Sequence, residues 1–255
     1  MVINSLGYST IVSRLRTAGC VFAEDEATLL LETAQSPSEL ETMVRQRIDG
    51  LPLEHVLGWA EFCGLRIAVH SGVFVPRRRT EFLARQAAEL AAPGNVVVDL
   101  CCGTGAVGAA LSQCVQGLEL YSVDIDPAAV KCARQNVSRV YEGDLYEPLP
   151  PELCGRIDIL VANAPYVPTE AIALMPPEAR DYEPRVALDG GLDGLDVQRR
   201  VTAAARDWLA PGGHLLIETS AAQAPETAAA FANHGLAVRT VQSDQLSATV
   251  VIGTR

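Results

Sequence analysis

The segment Asp99-Leu100-Cys101-Cys102-Gly103-Thr104-Gly105-Ala106-Val107-Gly108 follows the apolar run Val96-Val97-Val98 and opens a stretch that reads as a helix to about Cys114. A strand, a glycine turn and a helix, in that order, begin a βαβ unit. The alternation continues downstream. Strand Leu118 to Val123 leads to a helix from Pro127 to about Val137, followed by strands Ser138 to Tyr141, Ile157 to Ala162 and Leu215 to Glu218. A helix from about Ala221 to Asn233 then precedes strands Leu236 to Val241 and Ala248 to Ile252. This pattern predicts an α/β fold with a doubly wound, mostly parallel sheet. Only the short turn Gln242 to Leu246 joins the last two strands, which predicts an antiparallel pair at an edge.

Upstream the period changes. Leu6, Thr10, Ile11 and Leu15, then Ala27, Leu30, Leu31 and Ala34, recur at helical spacing. Ser36-Pro37-Ser38-Glu39 is a helix start with Ser36 as cap, and it points Met43, Val44 and Ile48 inward. Val56 to Phe62 and Leu65 to Val69 read as two strands separated by Cys63-Gly64, a hairpin. A helix from Glu81 to Ala92 stops at Pro93-Gly94.

Composition narrows the function classes. Of 255 residues, 49% are hydrophobic and 20% charged, as in a folded globular chain. Acids outnumber bases 31 to 20, a net charge of −11, and only 5% of residues are aromatic. Both features disfavour nucleic acid as a partner. Lys131 is the only lysine, an arginine bias typical of a GC-rich bacterial genome. The seven cysteines form no C-x-x-C pair, which argues for reduced thiols in a cytoplasmic protein rather than disulfides or a metal site. The sequence holds neither a secretory signal nor a run apolar enough to span a membrane.

Gly103, Gly105 and Gly108 formally satisfy the G-x-G-x-x-G pattern, so a dinucleotide site is one reading of the loop. Asp99 favours another. Its carboxylate would meet a pyrophosphate with like charge, whereas S-adenosylmethionine carries an ammonium and a sulfonium. A tight turn with no ligand is the third possibility. Asp124, ending the next strand, suits a ribose diol in either ligand reading. Asp144, after the third strand, fits either an adenine amino group, with Leu145 against the ring, or an ordinary Asp turn.

Asn163-Ala164-Pro165-Tyr166 follows the fourth strand, at the carboxyl edge where such sheets bind ligands. An amide or ring amino nitrogen is a poor nucleophile because its lone pair is delocalised. An asparagine oxygen and a backbone carbonyl can each accept one of its hydrogens and aim the lone pair at a methyl group. A tyrosine ring can stack on the planar acceptor and exclude water. The competing reading is an Asn-Pro-type turn with a buried tyrosine.

Taken together these segments resemble the HemK/PrmC group of class I methyltransferases. The likeness runs through Leu57 to Phe62, Val75-Pro76-Arg77 with Thr80-Glu81, Asp99 to Gly105, Asp124-Ile125-Asp126, Gly143-Asp144, Asn163 to Tyr166 and Glu183 to Gly191. The resemblance implies a Rossmann-like domain over 79–255, a β-hairpin linker over 51–78 and a helical substrate-recognition domain over 1–50. It implies S-adenosylmethionine as donor, held by Asp99, Cys101, Gly103, Gly105, Asp124, Ile125, Asp144, Leu145 and Asn163. It also implies a protein substrate whose glutamine amide is held by Asn163 and the carbonyl of Ala164, beside Pro165, Tyr166 and Glu183.

Three departures stand out. Ala164 replaces the first proline of Asn-Pro-Pro-Tyr, Cys101-Cys102 replaces Gly-Thr, and Arg77-Arg78-Arg79 replaces Arg-Pro-Glu. Arg78 and Arg79 read as a solvated helix entrance, and Arg77 as a candidate for an acidic partner or the donor carboxylate. Glu183 either shapes the substrate channel or pairs with Arg180 or Arg185. The four histidines fall in no catalytic spacing. The same residues leave two rival functions: methylation of a base or small-molecule amine, or binding without chemistry.

Overall fold

A computed structural model describes residues 7–255. Leu6 lies outside the described residues. Helices α1 (Tyr8–Thr17), α2 (Ala23–Thr33) and α3 (Pro37–Ile48) surround a core of their own that includes Ile11, Leu15, Leu30, Leu40 and Val44. Thr10, counted with the apolar face of α1, is exposed. Ser36 caps α3 by accepting the Glu39 N–H at 3.2 Å, while Glu39 accepts the Gln35 N–H at 2.7 Å. One orphan donor of the helix, and the N–H just before the cap, are thereby satisfied by neighbouring side chains.

The apolar run at Val56 is not strand at its start. Residues Leu53–Leu57 form a short helix, α4, ended by Gly58 at φ 78°, the left-handed conformation that glycine tolerates. Strand β1 is Trp59–Phe62 and pairs antiparallel with β2, Leu65–Ala68. Cys63 and Gly64 turn between them with φ of 50° and 74°, matching the right-handed strand twist. Trp59 packs on the helical core and Phe62 on the large sheet, so the hairpin joins the two.

Helix α5 (Thr80–Leu90) leads into β3 (Val96–Leu100), α6 (Ala106–Cys114), β4 (Glu119–Asp124), α7 (Pro127–Ala133), β5 (Val140–Glu142) and β6 (Ile157–Ala162). Helix α7 stops earlier than its periodicity predicts. The Asn136 amide just beyond it bonds the Ala68 N–H, the Ala68 carbonyl and the Thr104 carbonyl, holding that turn against the hairpin and the glycine loop. Then come the short α8 (Pro177–Tyr182), α9 (Asp196–Trp208), β7 (Leu209–Thr219), α10 (Ala224–Asn233), β8 (Ala237–Ser243) and β9 (Ala248–Thr254). Pro225 in the first turn of α10 sets its start beyond Ala221.

The seven strands run in the order β5-β4-β3-β6-β7-β9-β8, parallel except for the antiparallel partners of β9. Val96, Val98 and Leu100 pack toward Val201 and Ala205 of α9 and Phe231 of α10. Val97 packs toward Leu83, Val107 and Val130 of α5, α6 and α7. Helices therefore cover both faces, as a parallel sheet requires. The chain leaves β3 toward β4 and β5, then returns on the other side of β3 as β6. That reversal opens a crevice at the carboxyl ends of β3 and β6. No described helix is long and apolar enough to cross a membrane.

The helical unit also contains a buried ion pair. Arg47 on α3 donates to Glu26 on α2 at 2.7 and 3.2 Å, and its guanidinium lies 2.5 Å from the Glu178 carboxylate of α8 as an ion pair. Glu26 and Arg47 are both buried, so removing one partner strands the other. Arg47→Met should lower unfolding free energy by about 3 kcal/mol or more in a urea titration; an unchanged midpoint would show that the pair contributes nothing.

Candidate active site

One cavity of about 490 Å³ occupies the crevice, within the range of small-molecule sites. Every residue expected to bind donor or acceptor lines it except Gly105. Gly105 lies behind the loop instead. A Cβ there would stand 3.0 Å from Val137 and 3.4 Å from Ala133, so its absence lets α6 pack against α7. Gly103 faces the cavity, with no atom within 4 Å of where a Cβ would point.

On the donor side, Asp99 is 2% exposed and accepts the Gly108 N–H at 3.0 Å. Burial pushes its pKa up to about 7, against the pull of that N–H. Asp124 accepts the Gly103 N–H at 2.8 Å and the Asp126 N–H at 2.9 Å, and burial raises its pKa as well. Asp144 is paired with Arg200 at 2.6 Å, while Leu145 beside it is buried at φ 51°. Ile125 is half-exposed on the rim.

On the acceptor side, Asn163 donates its amide N–H to the Thr80 hydroxyl at 3.3 Å. Ala164 is 1% exposed. The Tyr166 hydroxyl donates to Glu218 at 3.2 Å. Burial and the Glu218 charge push the tyrosine pKa up. Behind this loop, Val167 bridges to Asp189 in parallel, with Val167 N–H to the Leu188 carbonyl at 3.0 Å and Gly190 N–H to the Val167 carbonyl at 2.9 Å. Gln223 clamps the Tyr166 and Asp193 carbonyls, each at 2.9 Å. The approach is close enough to demand glycine: a Cβ on Gly190 would fall 2.7 Å from the Pro165 oxygen.

Two sequence readings are corrected here. Glu183 pairs with neither Arg180 nor Arg185, which bond Asp181 and Asp189. Its buried carboxylate takes the Val75 N–H at 3.0 Å and Arg77 at 2.5 Å, fastening the loop after the acceptor motif to the hairpin's exit. Arg79 is not merely solvated: it donates to Glu218 at 3.2 Å and stands 5.7 Å from the centre of the Tyr166 ring. Arg78 is exposed, as a solvated residue should be. Glu218 and Gln223, which lie outside the cavity lining, hold Tyr166 from behind by its hydroxyl and its carbonyl. Glu218 carries the same signal as Asp99 and Asp124, an acid closing an apolar strand, whereas Gln223 has no such signal.

Residues 64–175 match the family model "Methyltransferase small domain". Over 229 residues the chain is 35% identical to the release factor glutamine methyltransferase of Geobacter sulfurreducens, covering 86% of this chain and 80% of the relative. The chain belongs to the release factor glutamine methyltransferase family. It is also 35% identical over 199 residues to the 4-amino-L-phenylalanine/4-methylamino-L-phenylalanine methyltransferase of Streptomyces pristinaespiralis, covering 74% and 68% of the two chains. A solved methyltransferase from Pyrococcus furiosus shares the fold at a TM-score of 0.57 and 16% identity, over 75% of this chain and 89% of that one.

Membership makes the chain a methyltransferase that uses S-adenosylmethionine. The cavity fits that donor: it offers three carboxylates, Asp99, Asp124 and Asp144, and an open cradle at Gly103. Where the family has glycine, Cys101 sits at φ 55°, a backbone that costs a side-chain residue about 1–2 kcal/mol. The loop holds that shape through Cys102 N–H to the Val123 carbonyl at 3.0 Å and Gly105 N–H to the Cys102 carbonyl at 2.7 Å. Because Gly190 abuts the acceptor loop, Gly190→Ala should cut turnover at least tenfold while donor affinity, read by calorimetry, stays within about twofold. Equal loss of both would place the strain elsewhere.

Proposed function

We propose that this protein transfers the methyl group of S-adenosylmethionine to the side-chain nitrogen of a glutamine in a protein substrate. The observation that carries the reading is that the Asn163–Tyr166 loop and the Asp99–Gly103 loop open on one cavity. When bound, the donor supplies an electrophilic methyl on a sulfonium. Asp99 would accept its ammonium and Asp124 its ribose hydroxyls. Asp144, Ile125 and Leu145 would frame the adenine, and Cys101 lines the same cavity. The Asn163 oxygen and the Ala164 carbonyl would each accept one glutamine N–H. Pro165 and Tyr166 would wall the flat amide, and Tyr166 would shut out water. The methylated nitrogen then sheds its extra proton to solvent.

The N-terminal helices are read as the docking surface for the protein substrate, supported by Phe22 and Val21, 68% and 81% exposed between α1 and α2. A net charge of −11 favours a basic or neutral partner face. The seven free cysteines support a reducing, cytoplasmic setting. A second reading, an aromatic amine as acceptor, is favoured by the likeness to the Streptomyces enzyme, because a conjugated amino group meets the same two acceptors.

Incubation with isotope-labelled donor and a bacterial proteome should label polypeptide at glutamine; label confined to nucleic acid or free amines overturns the assignment. Asn163→Ala should leave donor affinity nearly intact and cut turnover by about 10²-fold. Asp99 adds a proton signature. Its raised pKa in the free site should fall when a cation binds beside it, so donor binding somewhat below that pKa should release protons. Calorimetry in two buffers of different ionisation enthalpy reads the release, and Asp99→Asn should abolish it.

A further inference from the structure

Asp144 stands just beyond β5, on a turn that folds tightly back on itself. A Cβ on Gly143 would fall 2.8 Å from Pro148, and the Glu147 N–H reaches the Asp144 carbonyl at 3.1 Å. Helix α9 holds this turn in three ways. The Tyr146 hydroxyl donates to the Val201 carbonyl at 2.7 Å. The Tyr146 ring stacks on Trp208, with centroids 5.5 Å apart. Arg200 donates to the Asp144 carboxylate at 2.6 Å. Tyr146 is buried in the sheet core with Trp208 packed against it, so the first two contacts fix the turn on α9 without help from the third.

The ion pair is of another kind. Both of its side chains line the cavity. The Arg200 side chain is 56% exposed and that of Asp144 29%. A pair so open to water contributes little to stability. Its place on the cavity wall gives it a different use. Arg200 occupies Oδ2 of the carboxylate, and among the described residues Oδ1 has no hydrogen-bond partner. An ionised carboxylate only accepts, so Oδ1 is a lone acceptor on the cavity wall, beside buried Leu145 and the half-exposed Ile125. A carboxylate hanging free on a turn loses rotamer freedom when a ligand arrives. One already held by a guanidinium has lost that freedom beforehand. A fixed acceptor next to apolar side chains suits an N–H on the edge of a flat ring, which in the donor is the 6-amino group of adenine.

We propose that Arg200 is a positioning residue for the donor's adenine. By holding one oxygen of Asp144 it aims the other at the 6-amino group, and it thereby selects a 6-aminopurine over a 6-oxopurine. A 6-oxo group brings a lone pair to Oδ1 where a hydrogen is needed, so the same fixed oxygen repels it. The inference rests on the reading of Asp144 as the acceptor of the adenine amino group.

Calorimetry on the full-length protein tests it by comparing S-adenosylhomocysteine with S-inosylhomocysteine, in which hypoxanthine replaces adenine. The wild type should bind the adenine compound about tenfold or more tighter. Arg200→Met should weaken the adenine compound about fivefold and leave the hypoxanthine compound no weaker. In an Asp144→Ala background the same change should affect neither compound, because no carboxylate is left to hold. The urea midpoint of Arg200→Met should match that of the wild type, which separates a role in binding from one in folding. Equal weakening of both compounds by Arg200→Met overturns the inference, since the guanidinium would then act on the ring itself or on the fold. Tighter adenine binding also overturns it, as the mark of a pair that competes with the donor. A wild type that does not discriminate, with no loss in Asp144→Ala, overturns the reading of Asp144. Discrimination that Asp144→Ala abolishes and Arg200→Met preserves leaves that reading standing and removes only the role of Arg200.

Discussion

Leu100 of β3 lies opposite Ala162 of β6 in a parallel register, and the whole site depends on that pairing. The loops that begin at Cys101 and Asn163 leave the sheet side by side because their strands end level. Had β6 been added beyond β5, the strands carrying these loops would be separated by two others. The placement follows from the reversal of chain direction about β3. Parallel strands with helices on both faces have few other places to bury β6.

That edge carries an electrostatic cost. Asp99 and Glu218 close buried strands, and Asp124 ends β4 with both oxygens engaged by backbone N–H groups. Burial raises the pKa of all three. Each charge is offset differently: Asp99 by one backbone N–H, Asp124 by two, and Glu218 by Arg79 and the Tyr166 hydroxyl. Acids therefore crowd the cavity, and Glu218, behind the acceptor loop, already has Arg79 as its cation. An edge of this charge suits a reaction in which a cationic donor meets a neutral amide.

The segment 177–194 ties these halves to the rest of the chain. Glu183 fastens to Val75 and Arg77, Gly190 lies against Pro165, and α8 reaches the helical unit through Glu178 to Arg47 and Tyr182 to the Asp49 carbonyl at 2.9 Å. The acceptor loop is thus braced from behind by backbone contacts that leave no room for side chains. A loop held this way can orient an amide without a strong base, since orientation is the main contribution asked of it.

Much of this is legible in the residue order. The strands β3, β4 and β6 are apolar runs closed by turn residues, so their period, their carboxyl-end acids and the two glycine-containing or proline-containing loops can be read directly. Helix α9 escapes such reading. Its buried face holds Gln198, Thr202 and Ala205 with Val201, and Gln198 is satisfied by Thr227 at 2.8 Å. A polar buried face erases the apolar stripe on which period-based reading rests. Val56-Leu57 escapes for the opposite reason: a short apolar run has no period, and the left-handed Gly58 decides that a helix ends there.

The partners of charged groups escape as well. Sequence spacing suggested Arg180 or Arg185 for Glu183, but the carboxylate faces Arg77, 106 positions away. The sequence by itself determined the alternating α/β order, the acids and turns at strand ends, and the acceptor motif, because those depend on local period and backbone freedom. Only the tertiary structure decided that Gly105 packs against Val137 and Ala133, that Arg79 and Tyr166 converge on Glu218, and which way the Asn163 amide points. Those are contacts between strands and loops far apart in the chain, and hydrogen-bond polarity and burial exist only once the sheet has brought them together.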